Sequence, residues 1–378
     1  MPTFTISHHD QHSKARLGLL KTAHGVIETP FFMPAATKAC GKYITTDDYT
    51  ELGKNIKIEA LISNAFILSC KPGIEVVAKA GGLHQFMNFK GIIFTDCGGF
   101  QMSRSMYEHK SSRGIHFRNP FNNQKLMLTP QKIMEIELTL GSDVAMMLDD
   151  MSGYGVNKEE ALIAMKNTHV WGSESVRIHT QLRTERKSKQ LLFGIVQGNF
   201  YADLREESAK YISALNFDGI AIGGVAIGEP MDKMYEAVDA ALPFIPVEKP
   251  RYVMGVGSPV EILELIGRGV DCFDSVFPTQ NGRHGTMFTR TGKVYIPQTQ
   301  YAFDFTPLEK DCGCHTCVHY TKAYLHHLSK VEDGCFKRLM SIHNLYFMMK
   351  LMQDAKRAIG ENRFVGFKDE FIKKFRKE

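Results

Sequence analysis

Seven short apolar runs succeed one another between about residues 59 and 279, each closed by a small polar or glycine-containing group, with amphipathic stretches between them. The runs are Glu59 to Leu68, Gly91 to Thr95, Asp143 to Leu148, Leu191 to Val196, Gly219 to Ile222, Tyr252 to Val256 and Val270 to Phe273. The intervening segments include Lys158 to Leu182, Tyr201 to Leu215, Met231 to Leu242 and Pro259 to Ile266, whose apolar residues recur at helical spacing. This alternation is the mark of parallel strands joined by crossover helices. No linker, low-complexity segment or fixed-period repeat interrupts it. With an eighth strand placed later in the chain, the pattern predicts an α/β fold, a (β/α)8 TIM barrel, in preference to an open sheet.

In such a barrel the C-terminal strand ends converge on one face. Asn64, Asp96-Cys97-Gly98-Gly99, Asp149-Asp150, Gln197-Gly198, Gly223-Gly224, Met254-Gly255 and Asp274 would then surround one pocket. An open doubly wound sheet would spread them along an edge and begin with a glycine-rich phosphate turn, and neither GxGxxG nor a Walker-type lysine occurs. Two carboxylates facing each other, Asp96 and Asp274, suit cleavage of a glycosidic bond, one attacking the anomeric carbon and the other managing the leaving group's proton. Acids at strand ends also bind metals, and that alternative stays open at this point. Asp149, Gln197 and the Gly223-Gly224 turn supply acceptors and donors that match the polarity of guanine. Phe100 and Met254 are candidate stacking walls, with a core role equally open to each.

Three of the eight cysteines fall within six residues, in Cys312-Gly313-Cys314-His315-Thr316-Cys317, and a helical stretch with His343 follows. Three thiolates and an imidazole suit tetrahedral Zn²⁺, and four protein ligands leave no open position, so the expected role is structural. His343 is the expected fourth ligand, with His315, His319 and Cys335 also near in sequence. The predicted division is a catalytic barrel with an N-terminal extension over 1–300 and a zinc-binding subdomain with C-terminal helices over 301–378. A net charge of +5 permits contact with a polyanion without demanding it. Two basic clusters, Arg183, Arg186, Lys187 and Lys189, and Lys373, Lys374, Arg376 and Lys377, read first as solvated surface. Phe364, Phe367, Phe371 and Phe375, at helical spacing, are expected to dock the C-terminal segment on the body. The N-terminus lacks a basic and then apolar leader, and nowhere do about 18 apolar residues run together, so the expectation is a cytoplasmic protein without membrane contact.

Taken together, these residues resemble the tRNA-guanine transglycosylases, also called queuine tRNA-ribosyltransferases, of the bacterial single-domain type. The resemblance rests on Thr95-Asp96-Cys97-Gly98-Gly99-Phe100-Gln101, Gly141-Ser142-Asp143 leading to Asp149, Gly194-Ile195-Val196-Gln197-Gly198, Ile222-Gly223-Gly224-Val225-Ala226-Ile227-Gly228-Glu229, Arg251-Tyr252-Val253-Met254-Gly255-Val256-Gly257, the Asp274 segment and the cysteine motif. It implies Asp274 as a nucleophile on ribose C1′, forming a covalent enzyme–tRNA intermediate, and Asp96 as general acid/base. It places Asp149, Gln197, Gly224, Asn64 and Val225 at the base, with Phe100 and Met254 stacking on it. Glu229 resembles the residue that steadies the neighbouring peptide, whose orientation can switch between donor and acceptor. Arg283 and Gln280 occupy RNA-contact positions. The implied reaction, in queuosine biosynthesis, exchanges guanine at the wobble position of a tRNA anticodon for a 7-deazaguanine in a ping-pong double displacement. A structural Zn²⁺ in each subunit of a homodimer is implied as well.

Several positions depart from the family pattern. Cys97 replaces a serine, Phe66-Ile67 replaces a Tyr-His pair, Gln280 stands for an arginine, and Met151 stands where cysteine or valine is usual. Ile227 is bulky where queuine-using eukaryotic relatives carry glycine, which favours the smaller base preQ1 over queuine. The alternatives are a queuine-using salvage enzyme, base exchange on DNA or another RNA by a divergent member, and a non-catalytic RNA-binding partner subunit. A metal-dependent hydrolase or deaminase would need histidines at the strand ends, where none stands.

Overall fold

The computed structural model describes residues 2–98 and 107–376. Eight parallel strands succeed one another around a barrel: β1 (Phe31–Pro34), β2 (Ala60–Asn64), β3 (Ile92–Asp96), β4 (Val144–Met146), β5 (Leu191–Val196), β6 (Gly219–Ile222), β7 (Arg251–Val253) and β8 (Cys272–Ser275). From β2 to β8 each strand pairs with its chain neighbours, and β8 pairs back onto β1 through Cys272 with Phe31 and Asp274 with Met33. The seam between β1 and β2 is closed by a parallel bridge from Ala35 to Ile62, with the Ala36 N–H donating to the Ile62 carbonyl at 2.7 Å.

The eighth strand therefore precedes the other seven, correcting the expectation that it lies later in the chain. Phe31-Phe32-Met33 sits between Pro30 and Pro34. Flanking prolines demote so short a run as a strand candidate. It is nonetheless wholly buried, because β8 supplies its ladder on one side and the bridge to β2 closes the other.

The strands are apolar almost throughout because each is covered on both sides. Inside the barrel, the Phe94 ring packs edge-on against Phe193 at 5.6 Å and Tyr252 at 6.2 Å between centroids. Outside run α1 (Pro130–Leu140), α2 (Lys158–Glu185), α3 (Ala202–Ala214), α4 (Met231–Ala241) and α5 (Pro259–Gly267). Their starts follow capping chemistry: Thr129, with Pro130 behind it, accepts from the Lys132 N–H, and Asn157 accepts from the Glu160 N–H. A three-stranded antiparallel sheet, Tyr107–Ser111, Gly114–Arg118 and Lys125–Leu128, is inserted between β3 and α1.

After β8 come α6 (Phe277–Arg283), a hairpin (Thr286–Thr289 with Gly292–Tyr295), the cysteine segment, and the long helix α7 (Gly334–Gly360). α7 packs against α6 and against β1, one of the two strands of the seam. The last helix, α8 (Phe364–Phe375), buries Phe364 and Phe375 and sets Phe371 against Phe347 at 6.3 Å, so the C-terminal aromatic stripe does dock on the body. At the N-terminal end of the barrel, the buried Asp143 carboxylate holds His24 Nδ1 and His84 Nε2, each at 3.0 Å, and the two rings stack at 3.6 Å. These contacts hold its carboxyl down to about 2 against the cost of burial. No described helix is long and apolar enough to cross a membrane.

Candidate active site

The strand ends meet around a cavity of about 340 Å³, lined among others by Asn64, Asp96, Asp149, Gly224, Met254 and Asp274. Each carboxylate is placed by the strand that precedes it: β3 ends on Asp96, Asp149 follows β4, and Asp274 is the third residue of β8.

Asp274 is partly buried, and its Oδ1 accepts from the Tyr252 hydroxyl at 2.5 Å and from the Gly255 N–H at 2.8 Å. Burial pushes its carboxyl above the usual range, and these two donors pull it back. Among the described residues both donors reach Oδ1, which leaves Oδ2 as the less engaged oxygen. Asp96 is pushed further, up to about 7, by burial and by the negative charge of Asp149, with Asp274 adding to it and the Gly98 N–H opposing. Asn64 fixes Asp96 from the neighbouring strand. Its side-chain oxygen caps the next helix through the Ile67 N–H at 2.8 Å, and its amide nitrogen donates to Asp96 Oδ2 at 3.3 Å.

Asp149 lies across the pocket, buried, with its carboxyl raised by desolvation. The Gln197 amide donates to its Oδ2 at 2.6 Å and the Cys97 thiol to its Oδ1 at 3.4 Å. Cys97 thus serves as a donor where the family pattern has a hydroxyl, though a weaker one. Gly224 has φ +64°, and a side chain there would start 2.5 Å from Gln197 Oε1. Only glycine fits that approach. Val225 is buried at the same wall, and the Glu229 carboxylate accepts from the Ala226 N–H at 2.6 Å and the Ile227 N–H at 2.8 Å. Met151, Ile227 and the exposed Gln280 also line the cavity. Arg283, in the last turn of α6, is half-buried and does not line it. Phe100 lies outside the described residues.

Three contributors escape the sequence reading. Tyr252 sits within a quoted motif, but its hydroxyl contact with Asp274 depends on the stagger between β7 and β8. Lys110, from the inserted sheet, donates to Asp150 and to the Met151 carbonyl, the latter at 3.0 Å, and so steadies that side of the pocket. Arg205, wholly buried in α3, donates to the last carbonyl of β5 and to carbonyls of the turns that follow β5 and β6. An arginine on a helix face carries no signal that it points inward. Of the basic loop cluster, Arg183 faces Asp218 at 3.5 Å and Arg186 donates to Thr139, both ordinary surface roles.

Cys312, Cys314, Cys317 and His343 come together from a loop, from the short helix His315–His319 that Cys314 caps, and from α7. Their sulfurs lie 3.9, 3.5 and 3.4 Å from His343 Nδ1, close to the ligand-to-ligand spacing around a tetrahedral metal. His343 Nε2 donates to the Phe288 carbonyl at 2.8 Å, which leaves Nδ1 unprotonated for a metal. The four residues fit a metal ion, and among the candidate fourth ligands it is His343 that joins the cluster.

Comparison with known proteins agrees with this geometry. The family model for queuine tRNA-ribosyltransferases matches residues 10–377. The chain is 43% identical over 374 residues to a protein named queuine tRNA-ribosyltransferase from Pelotomaculum thermopropionicum, covering 99% of this chain and 98% of that one. It is 43% identical over 367 residues to a protein of that name from Desulforamulus reducens, covering 97% and 96%. A third, from Staphylococcus epidermidis, is 42% identical over 378 residues, covering 99% and 97%. Whole-length similarity of this order, on a chain whose strand ends converge as described, shows that the chain belongs to the queuine tRNA-ribosyltransferase family.

Proposed function

We propose that the protein exchanges a guanine of tRNA, at the wobble position of an anticodon, for a 7-deazaguanine, as a pentosyltransferase of queuosine biosynthesis. The observation that carries this reading is the convergence of Asp96, Asp149 and Asp274 on one cavity, with Asp274 anchored through a single oxygen. Asp274 Oδ2 attacks ribose C1′ as the C1′–N9 bond breaks, and the departing guanine takes its proton from Asp96. The incoming base then gives its N9 proton to Asp96, and its N9 displaces Asp274 from C1′, restoring the free carboxylate. A carboxyl near 7 suits both halves of that proton transfer at neutral pH. The base leaves its stack to reach the pocket, which costs least in a single-stranded loop.

Asp149 accepts from the base N1–H and 2-amino group, Gln197 and the Gly224 N–H donate to its carbonyl, and Met254 and Phe100 stack on its faces. With the Ala226 N–H committed to Glu229, the Val225 carbonyl turns the opposite way, toward the cavity, as an acceptor for an aminomethyl group. That orientation, with bulky Ile227 and Met151 on the walls, favours preQ1 over queuine. Arg283 and Gln280 contact the tRNA backbone. Zn²⁺ held by Cys312, Cys314, Cys317 and His343 serves structure alone, because four protein ligands close the site. The barrel spans 1–300 and the zinc-bearing unit 301–378, in a cytoplasmic homodimer whose second copy helps to hold the tRNA.

The test is incorporation of radiolabelled guanine into tRNA. Wild type incorporates label and forms a covalent complex with tRNA that survives denaturation, whereas Asp274→Asn loses both by at least about 10³-fold. Full incorporation by Asp274→Asn would remove the nucleophile assignment.

A further inference from the structure

Arg205 is a charged side chain in the protein's interior, with no solvent exposure. Among the described residues its guanidinium meets main-chain carbonyls. Nε donates to Asn199 at 2.6 Å, one terminal nitrogen to Val196 at 3.1 Å and Gly223 at 2.7 Å, and the other to Gly224 at 3.2 Å. A buried cation without a hydrogen-bonded carboxylate is costly. Here burial draws Arg205 down to about 9, and only the more distant charge of Glu229 opposes it.

The four carbonyls belong to the two strand ends that flank the base pocket, Val196 and Asn199 on either side of Gln197, and Gly223-Gly224. A peptide is planar and trans, so an N–H projects opposite to the carbonyl of its own unit. With the Gly223 carbonyl turned to Arg205, the Gly224 N–H points the other way, to the cavity that Gly223, Gly224 and Val225 line. Two successive glycines hold no such orientation by themselves. At the far end of the same stretch, Glu229 grips the Ala226 and Ile227 N–H groups with a half-buried carboxylate. The segment is therefore clamped by a buried, planar fork at one end and an adjustable acid at the other.

We propose that Arg205 is a positioning residue for base recognition, holding the Gly223 and Gly224 carbonyls so that the Gly224 N–H stays aimed at the 6-oxo group of the bound base. This rests on the base-pocket reading above. Lysine cannot replace it, because one ammonium cannot reach carbonyls on two strand ends at once.

The experiment measures kcat and KM for guanine and the inhibition constant of 6-thioguanine, for wild type, Arg205→Lys and Arg205→Met. 6-Thioguanine keeps the N1–H and 2-amino edge for Asp149 but presents sulfur, a weak acceptor, where guanine presents oxygen. Loss of an aimed donor raises the guanine KM about tenfold in Arg205→Lys, leaves kcat within about threefold, and moves the 6-thioguanine constant by less than about twofold, so discrimination between the bases collapses. An equal rise for both bases, or no change in either, would overturn the proposal. So would failure of both variants to fold by circular dichroism, which would make Arg205 a folding residue. Wild type that exchanges no guanine sinks the base-pocket reading itself, while wild-type discrimination retained in Arg205→Lys sinks this inference alone.

Discussion

At the scale of single residues, the site is a set of carboxylates in unlike surroundings. Asp274 has two donors on one oxygen, and Asp96 has the neighbouring charges of Asp149 and Asp274 raising it. Environments that push acids apart in this way divide the work between nucleophile and proton carrier. Tyr252→Phe tests the division. The hydroxyl favours the charged form of Asp274, so its removal raises that carboxyl further and moves the acidic limb of kcat/KM for tRNA to higher pH. On the proposed mechanism the alkaline limb is that of Asp96, whose carboxyl burial and the charge of Asp149 raise, and it is expected to stay in place. A pH profile from about 5 to 9 distinguishes the two, and an acid limb that moves down would contradict the assignment.

At the scale of elements, chemistry is carried by the last residues of the strands, such as Asp96 and Asp274, and by the turns that follow them. Asn64, the last residue of β2, does two tasks, capping a helix with its oxygen and holding Asp96 with its nitrogen. The β6 turn runs from Arg205's grip at Gly223-Gly224 to Glu229's grip at Ala226 and Ile227, and Ile227 is the side chain that narrows the cavity from it. Ile227→Gly enlarges that wall by removing a partly exposed side chain, at small cost to the fold. Competition assays should show queuine use improved by about tenfold relative to preQ1, an amount typical of relieving a few buried methylenes. An unchanged ratio would place the choice of base at Met151 instead.

For the whole molecule, the decisive element is α7. It carries His343 at one point and packs on α6 and β1 at others, so the metal cluster and the closure of the barrel share one helix. Removing the metal therefore loosens more than a peripheral loop. His343→Ala, or chelation under reducing conditions, is expected to release bound zinc and lower Tm by on the order of 10 °C, since structural zinc sites contribute several kcal/mol. Metal analysis with calorimetry reads both, and full zinc content in His343→Ala would return the fourth position to His315, His319 or Cys335.

Seven strands, the acids that end them and the cysteine spacing were legible in the sequence, because buried parallel strands are continuously apolar and thiolate ligands lie close along the chain. The strand Phe31–Pro34 was not, since its two prolines mask a run whose burial comes from β8, more than two hundred residues away. Asp96, Asp149, Asp274, Gln197 and Gly224 could be named from local pattern and family resemblance. What Asp274 leans on, which of its oxygens is engaged, and how Arg205 aims a glycine turn were decided by the tertiary structure alone. Those are contacts across strands and from helix to strand end, set by barrel stagger and burial, and no local periodicity encodes them.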